Sequence, residues 1–157
     1  MPPQLLFDIS EIDLNTIIYN REAIEQCNPQ RGQMQHLDAI VYADKELERV
    51  VGFKDVSHDE FWIEGHIPGR PLLPGVIMLE AGAQLASFYT KQLLGWKGFI
   101  GFAGVEDCKF RQQVVPGDRI YLLGQKIWER HGRVGCKIQG IVNGNMVFEA
   151  TIIGAQL

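Results

Sequence analysis

The chain has 157 residues, a formal net charge of −4, 46% hydrophobic residues and 22% charged residues. This length fits one domain, and this balance supplies a packed core and excludes a disordered chain. The negative net charge is unlike the basic surface of nucleic-acid-binding proteins, so we expect no nucleic-acid partner.

The cysteines and the apolar segments bear on where the protein works. Cys27, Cys108 and Cys136 form no C-x-x-C pair, which favours free thiols in a reducing cytosol. The first residues, MPPQLLFDISEIDL, lack the basic start and long apolar core of a signal peptide. No apolar run reaches the ~18 residues typical of a membrane span. We therefore expect a cytoplasmic protein that does not associate with membranes.

The N-terminal part of the chain predicts a helix followed by a loop. Residues 10–19, SEIDLNTIIY, have the spacing of a short amphipathic helix. Residues 26–36 are polar and are interrupted by proline and glycine, which is typical of a loop. We interpret residues 1–157 as a single domain, with a variable N-terminal helix and loop at 1–36 and a core at 37–157.

The core pattern predicts one long helix among many strands. Strands are predicted at 37–43 and 47–56, and residues 61–63 extend the pairing briefly. The helix is predicted at 75–94, and its first part is apolar on nearly every side, as in a helix buried all round. The other predicted strands are 99–104, 106–113, 118–129, 133–143 and 146–154, with a hairpin turn at Asn143-Gly144. The result is an α+β domain in which an antiparallel sheet curls around a central helix. Its open edge strands favour self-association.

The stretch GHIPGRPLLPGVIMLEAGAQ, residues 65–84, is the most unusual in the chain. Pro68, Pro71 and Pro74 recur every third residue, which matches the turn of a polyproline II segment. This spacing predicts an extended, stiff path from His66 to the start of the helix. Gly75 follows at the helix start, where free amides suit a carbonyl oxygen that gains negative charge.

Within the predicted helix, Glu80 stands among apolar residues. Burial raises the pKa of a carboxyl group, and a carboxylic acid that stays protonated can serve as a general acid. Gln84 follows one turn later and can hydrogen-bond to Glu80. His66 supplies a base that works near neutral pH. A base, an acid and a backbone site for an oxyanion meet the needs of β-elimination beside a carbonyl.

Structural interpretations of the same residues stay open at this point. His66 can be a core or capping histidine, and Glu80 with Gln84 can be a structural polar pair at a dimer interface. The three prolines can form a rigid connector only. The combination of all these features in 20 residues favours the catalytic interpretation.

These residues resemble a known family, the β-hydroxyacyl-acyl-carrier-protein dehydratases. Its pattern G-H-F-P-x-x-P-x-x-P-G-V-x-x-x-E-A-x-A-Q differs from this chain only at Ile67. GFAGVEDCKFRQQVVPGDRI and GIVNGNMVFEATIIGA are similar to two further blocks of that family. The resemblance covers about residues 47–154.

The resemblance implies the hotdog fold, in which a curved antiparallel sheet wraps a long helix. It implies a homodimer with two sites at the interface, often assembled as a trimer of dimers. His66 would be the catalytic base, the partner subunit's Glu80 the acid, and Gly75 the residue whose N–H polarises the thioester carbonyl. The reaction would convert a (3R)-hydroxyacyl chain on the phosphopantetheine arm of acyl carrier protein into the trans-2-enoyl thioester.

Further expectations concern the acyl chain, the carrier protein and cofactors. Phe99, Phe102 and Phe110 are candidates to line an acyl tunnel, although ordinary core packing explains each of them equally well. Acyl carrier protein is acidic, so it would dock on a basic rim whose candidate residues are Lys97, Lys109, Arg111, Arg130 and Arg133. We expect no metal and no cofactor, because the four histidines lack ligand spacing and no phosphate-binding glycine loop is present.

The chain departs from the family pattern at several positions. The bifunctional dehydratase-isomerases have aspartate and cysteine where this chain has Glu80 and Val76, so the monofunctional type is favoured. Gln30 stands in place of a histidine, and Ile100-Gly101 replaces an aromatic pair that often holds a mobile tyrosine. Gln113 replaces a common proline. Tunnel gating and chain-length preference therefore lie outside what the resemblance implies.

Other functions remain open from sequence. A hotdog thioesterase, a hydratase of CoA thioesters, and a dehydratase of a polyketide or specialised lipid route share the scaffold. A non-catalytic subunit that binds acyl thioesters belongs to a different class, and intact His66, Gly75 and Glu80 argue against it.

Overall fold

The computed structural model describes residues 3–157, which form one antiparallel sheet, two α-helices and a short 3-10 helix at Gly32–Met34. The strands are β1 (Ala39–Asp44), β2 (Arg49–Asp55), β3 (Ile100–Phe110), β4 (Arg119–Arg130), β5 (Arg133–Val142) and β6 (Asn145–Gln156). The helices are α1 (Arg21–Cys27) and α2 (Gly75–Gln92). The strand order across the sheet is β1-β2-β4-β5-β6-β3. One long helix and one antiparallel sheet confirm the predicted α+β class.

Helix α2 packs on the inner face of the sheet and supplies the centre of the larger apolar cluster. Leu85 and Phe88 are fully buried there. A Cβ added at Gly82 would lie 3.0 Å from Cγ2 of Ile138, so this glycine lets the helix approach β5 closely. Val76, in contrast, is 70% exposed. The prediction of a helix buried all round is therefore wrong at its first turn.

The N-terminal region differs from its prediction. Residues 10–18 form turns and bends instead of a helix, because the side chains of Asp8 and Asp13 accept hydrogen bonds from nearby backbone amides. Phe7 packs on the outer face of the sheet. A helix follows at Arg21–Cys27, where Asn20 caps the first turn by accepting from the Ala23 amide at 2.9 Å.

The observed backbone tests three further predictions, two on strands and one on a turn. The two strands expected at 99–104 and 106–113 are one strand, β3, with irregular register in two places. Residues 61–63 form turns, so they do not extend the pairing. Asn143 and Gly144 have φ values of 49° and 81°, which confirms the predicted hairpin turn.

The two edge strands of the sheet, β1 and β3, differ in what lies beside them. At β1, Tyr19 pairs with Ile40, and the Ile40 amide donates to the Tyr19 carbonyl at 2.9 Å. At β3, no strand among residues 3–157 pairs with the outer edge. We call the exposed apolar surface beside it the bare edge. Its residues are Val76, Phe99, Phe102, Val105 and Phe110.

Three further features concern location and ligands. None of the helices in residues 3–157 has the length and apolarity needed to cross a membrane. Within the same residues, no group of three His, Cys, Asp or Glu side chains is arranged to hold a metal ion. Cys27, Cys108 and Cys136 are free thiols, as predicted.

Candidate active site

The start of α2 forms one part of the candidate site. Pro74 has extended backbone angles, φ −60° and ψ 137°, and Gly75 begins the helix. The Ile77 amide donates to the Pro74 carbonyl at 3.0 Å, whereas the amides of Gly75 and Val76 precede the first intrahelical hydrogen bond. A Cβ at Gly75 would lie 2.8 Å from the ring of Phe110, so glycine is required for this close contact. The helix start can therefore present a backbone N–H to a ligand oxygen.

His66 lies at the end of an irregular segment, residues 57–66, which we call the His66 turn. The His66 amide donates to the Trp62 carbonyl at 2.9 Å, and the residue is exposed. The segment that follows is not extended throughout, because the Arg70 amide donates to the Ile67 carbonyl at 2.9 Å. Gly69 has φ +79°, which only glycine adopts readily.

This geometry corrects the polyproline prediction. Pro68 and Gly69 occupy the central positions of a tight turn, which the Pro-Gly pair favours more strongly than a polyproline II path. Only residues 71–74 form an irregular stretch that enters the helix, and the Leu73 amide fixes it by donating to the Val114 carbonyl at 2.8 Å. The turn brings the chain back, so that His66 and Gly75 line the same cleft together with Phe110.

Glu80 lies further along α2 and is half-buried in the single chain. Gln84 Nε2 donates to Glu80 Oε1 at 3.0 Å, which confirms the predicted contact between these two side chains. Gln84 is only 3% exposed, and its Oε1 accepts from the His36 amide at 2.9 Å. Its Nε2 also donates to the Met34 carbonyl at 2.7 Å. Gln84 thus fixes the Glu80 carboxyl group against the loop that precedes β1.

A second cavity, of about 180 Å³, opens beside Glu80 between α2 and the strands β3, β5 and β6. Phe99 and Phe102 line this cavity, whereas Phe110 lines the His66 cleft. Gln30, at a position where the family pattern differs, also lines it. The Gln30 Oε1 atom is buried without a hydrogen-bond partner in the described part of the chain.

The two cavities are separate within one chain. His66 and Gly75 line one, and Glu80 lines the other. Residues of β3 line both cavities, and the outer side of β3 is the bare edge. Both cavities therefore adjoin the same uncovered edge of the sheet.

A buried polar group behind the site was not predicted from sequence. Lys54 Nζ lies 2.9 Å from Glu60 Oε1 and 3.2 Å from His36 Nδ1. Burial, followed by the charge of Lys54, lowers the pKa of His36 to about 4. Burial acts to raise the pKa of Glu60, but the hydrogen bonds from Lys54 and Trp62 outweigh it, so this pKa lies below its ordinary value. No signal in the sequence marked this group, because a lysine in a predicted strand usually indicates a solvent-exposed face.

The basic residues considered for carrier docking lie on the surface. One of them, Arg111, is engaged with the carboxylate of Glu149. All five are exposed, namely Lys97, Lys109, Arg111, Arg130 and Arg133.

Sequence comparison places these features among known proteins. A family model described as a FabA-like domain matches residues 28–151. The chain is 36% identical over 134 residues to the 3-hydroxyacyl-acyl-carrier-protein dehydratase FabZ of Listeria monocytogenes, covering 84% of this chain and 92% of that protein. It is 38% identical over 123 residues to FabZ of Acetivibrio thermocellus, covering 74% of this chain and 84% of that protein.

Structural comparison bears on the fold alone, because the identities are low. The dehydratase heterocomplex ApeI:P from Xenorhabdus doucetiae matches with a TM-score of 0.71 at 13% identity, over 85% of this chain and 90% of that chain. A sigma28-regulated virulence protein from Campylobacter jejuni matches with a TM-score of 0.65 at 16% identity, over 87% and 88% of the two chains. The fold is the hotdog fold, as the sequence resemblance implied. Since the family model spans most of the chain and both FabZ relatives exceed 30% identity over most of their length, this chain belongs to the FabA-like family.

Proposed function

We propose that this protein is a hydro-lyase that dehydrates (3R)-hydroxyacyl-acyl-carrier-protein to the trans-2-enoyl thioester in fatty acid biosynthesis. The observation that carries the proposal is the pairing of two half-sites. One holds His66 beside the free amides of the helix start, and the other holds Glu80 on a hydrogen bond from Gln84. The names of the FabZ relatives agree with this reaction.

Three groups would share the chemistry. His66 removes the proton at the α-carbon, and the electron pair of that bond becomes the new double bond. The Gly75 N–H stabilises the thioester oxygen while it carries negative charge. Glu80 acts as the general acid and gives a proton to the β-hydroxyl, so the C–O bond breaks and water leaves. Return of the proton from His66 to Glu80 restores the starting state.

The proposal requires two copies of the chain. The half-sites lie in separate cavities of one subunit, so His66 of one subunit would act with the partner subunit's Glu80. The bare edge is the surface that such a dimer would cover, because it exposes Val76, Val105 and Phe110. Three dimers would then assemble as a hexamer.

The substrate would arrive on acyl carrier protein in the cytoplasm. Its phosphopantetheine arm would pass the basic rim and place the thioester at the start of α2. The acyl chain would extend into the cavity beside Glu80, along Phe99 and Phe102, with Phe110 at the entrance. The chemistry assigned to His66, Gly75 and Glu80 uses no metal and no cofactor of the enzyme.

One assay tests the proposal against the alternatives. The protein is incubated with a 3-hydroxyacyl-acyl-carrier-protein, and the conjugated enoyl thioester is followed by its ultraviolet absorbance. The His66→Ala and Glu80→Ala variants should each lose roughly 10²–10⁴-fold in kcat. Release of free thiol in place of enoyl product would indicate a thioesterase. Turnover of CoA thioesters alone would indicate a hydratase, and binding without turnover would indicate a non-catalytic subunit.

A further inference from the structure

A largely buried ion pair joins β2 to the His66 turn. Lys54 and Glu60 are 2.9 Å apart, and their side chains are 5% and 11% exposed. A buried pair is costly unless its remaining hydrogen-bonding capacity is also used. Here the Glu60 carboxylate accepts from the indole of Trp62 at 3.0 Å and from the Ser57 amide at 2.8 Å. Three donors from three different residues thus converge on one carboxylate.

The carboxylate organises a segment that has no regular secondary structure. Residues 57–66 contain neither helix nor strand. The Ser57 amide and the Trp62 side chain are both held on Glu60, and the Trp62 carbonyl receives the His66 amide at 2.9 Å. The position of His66 therefore depends on the Glu60 carboxylate through Trp62.

The same pair connects in the other direction to Glu80. Lys54 Nζ lies 3.2 Å from His36 Nδ1, and burial and the Lys54 charge keep the pKa of His36 at about 4. The ring is therefore neutral near pH 7, and its Nδ1 accepts from the ammonium group. The His36 amide donates to Gln84 Oε1 at 2.9 Å. Gln84 in turn donates to Glu80 at 3.0 Å.

We propose that Lys54, Glu60 and His36 are positioning residues for the dehydration reaction, because they join the His66 turn to the Gln84–Glu80 pair through one buried chain of hydrogen bonds. This role rests on the proposed function of His66 and Glu80. We call the chain the anchoring network. It would hold both half-sites of one subunit at fixed positions relative to each other, although none of the three residues lines either of the two cavities.

A double variant separates positioning from simple stabilisation. Glu60→Gln leaves the Lys54 charge buried without its partner, so the folded state should lose stability. Adding Lys54→Met removes that charge, and the urea midpoint should return toward the wild-type value. If the pair positions His66, kcat of the double variant should stay roughly 10–100-fold low per folded subunit while KM is unchanged. A double variant with wild-type kcat would overturn the proposal.

Hydrogen exchange gives a second measurement that does not depend on activity. Amides of residues 57–66, including the His66 amide, should exchange roughly tenfold faster in both variants, while amides within α2 keep their protection. Unchanged exchange in the His66 turn would also overturn the proposal. If the wild-type protein failed to dehydrate the substrate, the proposed function would fall, and exchange would still decide whether Glu60 fixes the turn.

The neighbouring pair Asp55–Arg119 provides a matched control. It joins β2 to β4 one residue away from Lys54, but its side chains are 52% and 42% exposed. Asp55→Asn should change neither kcat nor exchange in the His66 turn. An equal loss in Asp55→Asn and Glu60→Gln would show a general effect of charge removal and would contradict a specific positioning role.

Discussion

The two sides of the candidate site are built in opposite ways. Behind the site, the anchoring network buries the side chains of Gln84 and Lys54 and provides hydrogen-bond partners for both of them. In front, the bare edge exposes apolar side chains such as Val76 and Val105. The difference teaches that contacts within one chain hold the residues behind His66 and Glu80, whereas the proposed reaction requires a second chain to cover the apolar surface in front of them.

The largest expected effect comes from mixing two inactive variants. If each site combines His66 of one subunit with the partner subunit's Glu80, His66→Ala and Glu80→Ala proteins should regain activity together. After full subunit exchange, half of the dimers contain one intact site, so about a quarter of the wild-type rate should return. The rate is measured before and after refolding the two variants as a mixture.

Two controls define this result. Each variant refolded alone should stay roughly 10²–10⁴-fold below the wild type. A mixture that forms mixed dimers, seen by tagging one variant, yet stays inactive would show that both groups of a site come from the same subunit.

A charge at the bare edge tests whether a second chain covers this apolar surface. Val105 lies on β3 and is 43% exposed. Its pairing partner on the neighbouring strand β6 is Ile152. Val105→Lys would place an ammonium group in an apolar interface, so it should shift the protein to monomers and lower kcat at least ~100-fold. Sedimentation and rate are measured on the same sample.

A matched control for Val105→Lys is available on β4. Ile127 is 48% exposed and lies outside the bare edge, so Ile127→Lys should keep the oligomeric state and the rate. Monomeric Val105→Lys protein with full activity would contradict a shared site.

A smaller effect is expected from the glutamine behind Glu80. Gln84→Leu removes the donor to Glu80 and leaves the His36 amide and the Met34 carbonyl without partners. Each unsatisfied buried group costs about 1–3 kcal/mol, and the freed Glu80 should lower kcat roughly 10- to 100-fold. Urea unfolding and steady-state kinetics measure the two effects.

The chain offers a second buried glutamine as a control. Gln139 is 2% exposed, and on the outer face of the sheet it bonds the backbones of Gln4 and Leu6. Gln139→Leu should lower stability and leave kcat per folded subunit unchanged. If both variants lost kcat equally, the loss would reflect general loosening of the fold.

The anchoring network also predicts how stability depends on pH. The pKa of His36 is lowered from 6.5 to about 4, first by burial and then by the Lys54 charge. Between these values the unfolded chain binds a proton at His36 and the folded chain does not. Stability should therefore rise with pH across this window and be lost as the pH falls from about 6.5 toward 4. Urea midpoints measured from about pH 7 to pH 5 test this.

Two carboxyl groups near His36, those of Glu60 and Asp38, also contribute to the pH dependence of stability. Because the pKa of Glu60 is lowered, its contribution to stability changes only below about pH 4.5. Burial raises the pKa of Asp38, so this group opposes the rise of stability with pH at the acid end of the range. His36→Gln should flatten the dependence, whereas His58→Gln, at an exposed position, should keep it. An unchanged slope in His36→Gln would remove His36 as its cause.

Local chemistry explains which parts of the fold were predictable. Pro74-Gly75 and Asn143-Gly144 dictate a helix start and a hairpin turn within a few residues, and both were predicted correctly. The helix at 10–19 failed because Asp8 and Asp13 bind nearby amides more favourably in turns.

The anchoring network was missed for a different reason. Its residues are distant in the chain, and the pairing of β1 with β2 brings His36 to Lys54. A lysine in a strand usually indicates a solvent-exposed face, and only the structure shows that it is 4% exposed. In the proposed function, His66 acts with Glu80 of a second chain, so no pattern within one chain specifies the geometry of this pair.

The smallest expected effect is at Gly75, where the start of α2 contacts Phe110. In Gly75→Ala the new Cβ would lie 2.8 Å from the Phe110 ring. Because this ring is 51% exposed, it can turn away at a cost of about 0.5–1.5 kcal/mol, so kcat should fall only about 2- to 10-fold. In a Phe110→Ala background the same change should have no further effect, since the clash is gone. An equal loss in both backgrounds would place the cost at the Gly75 amide itself, and steady-state kinetics of the four proteins distinguish the two outcomes.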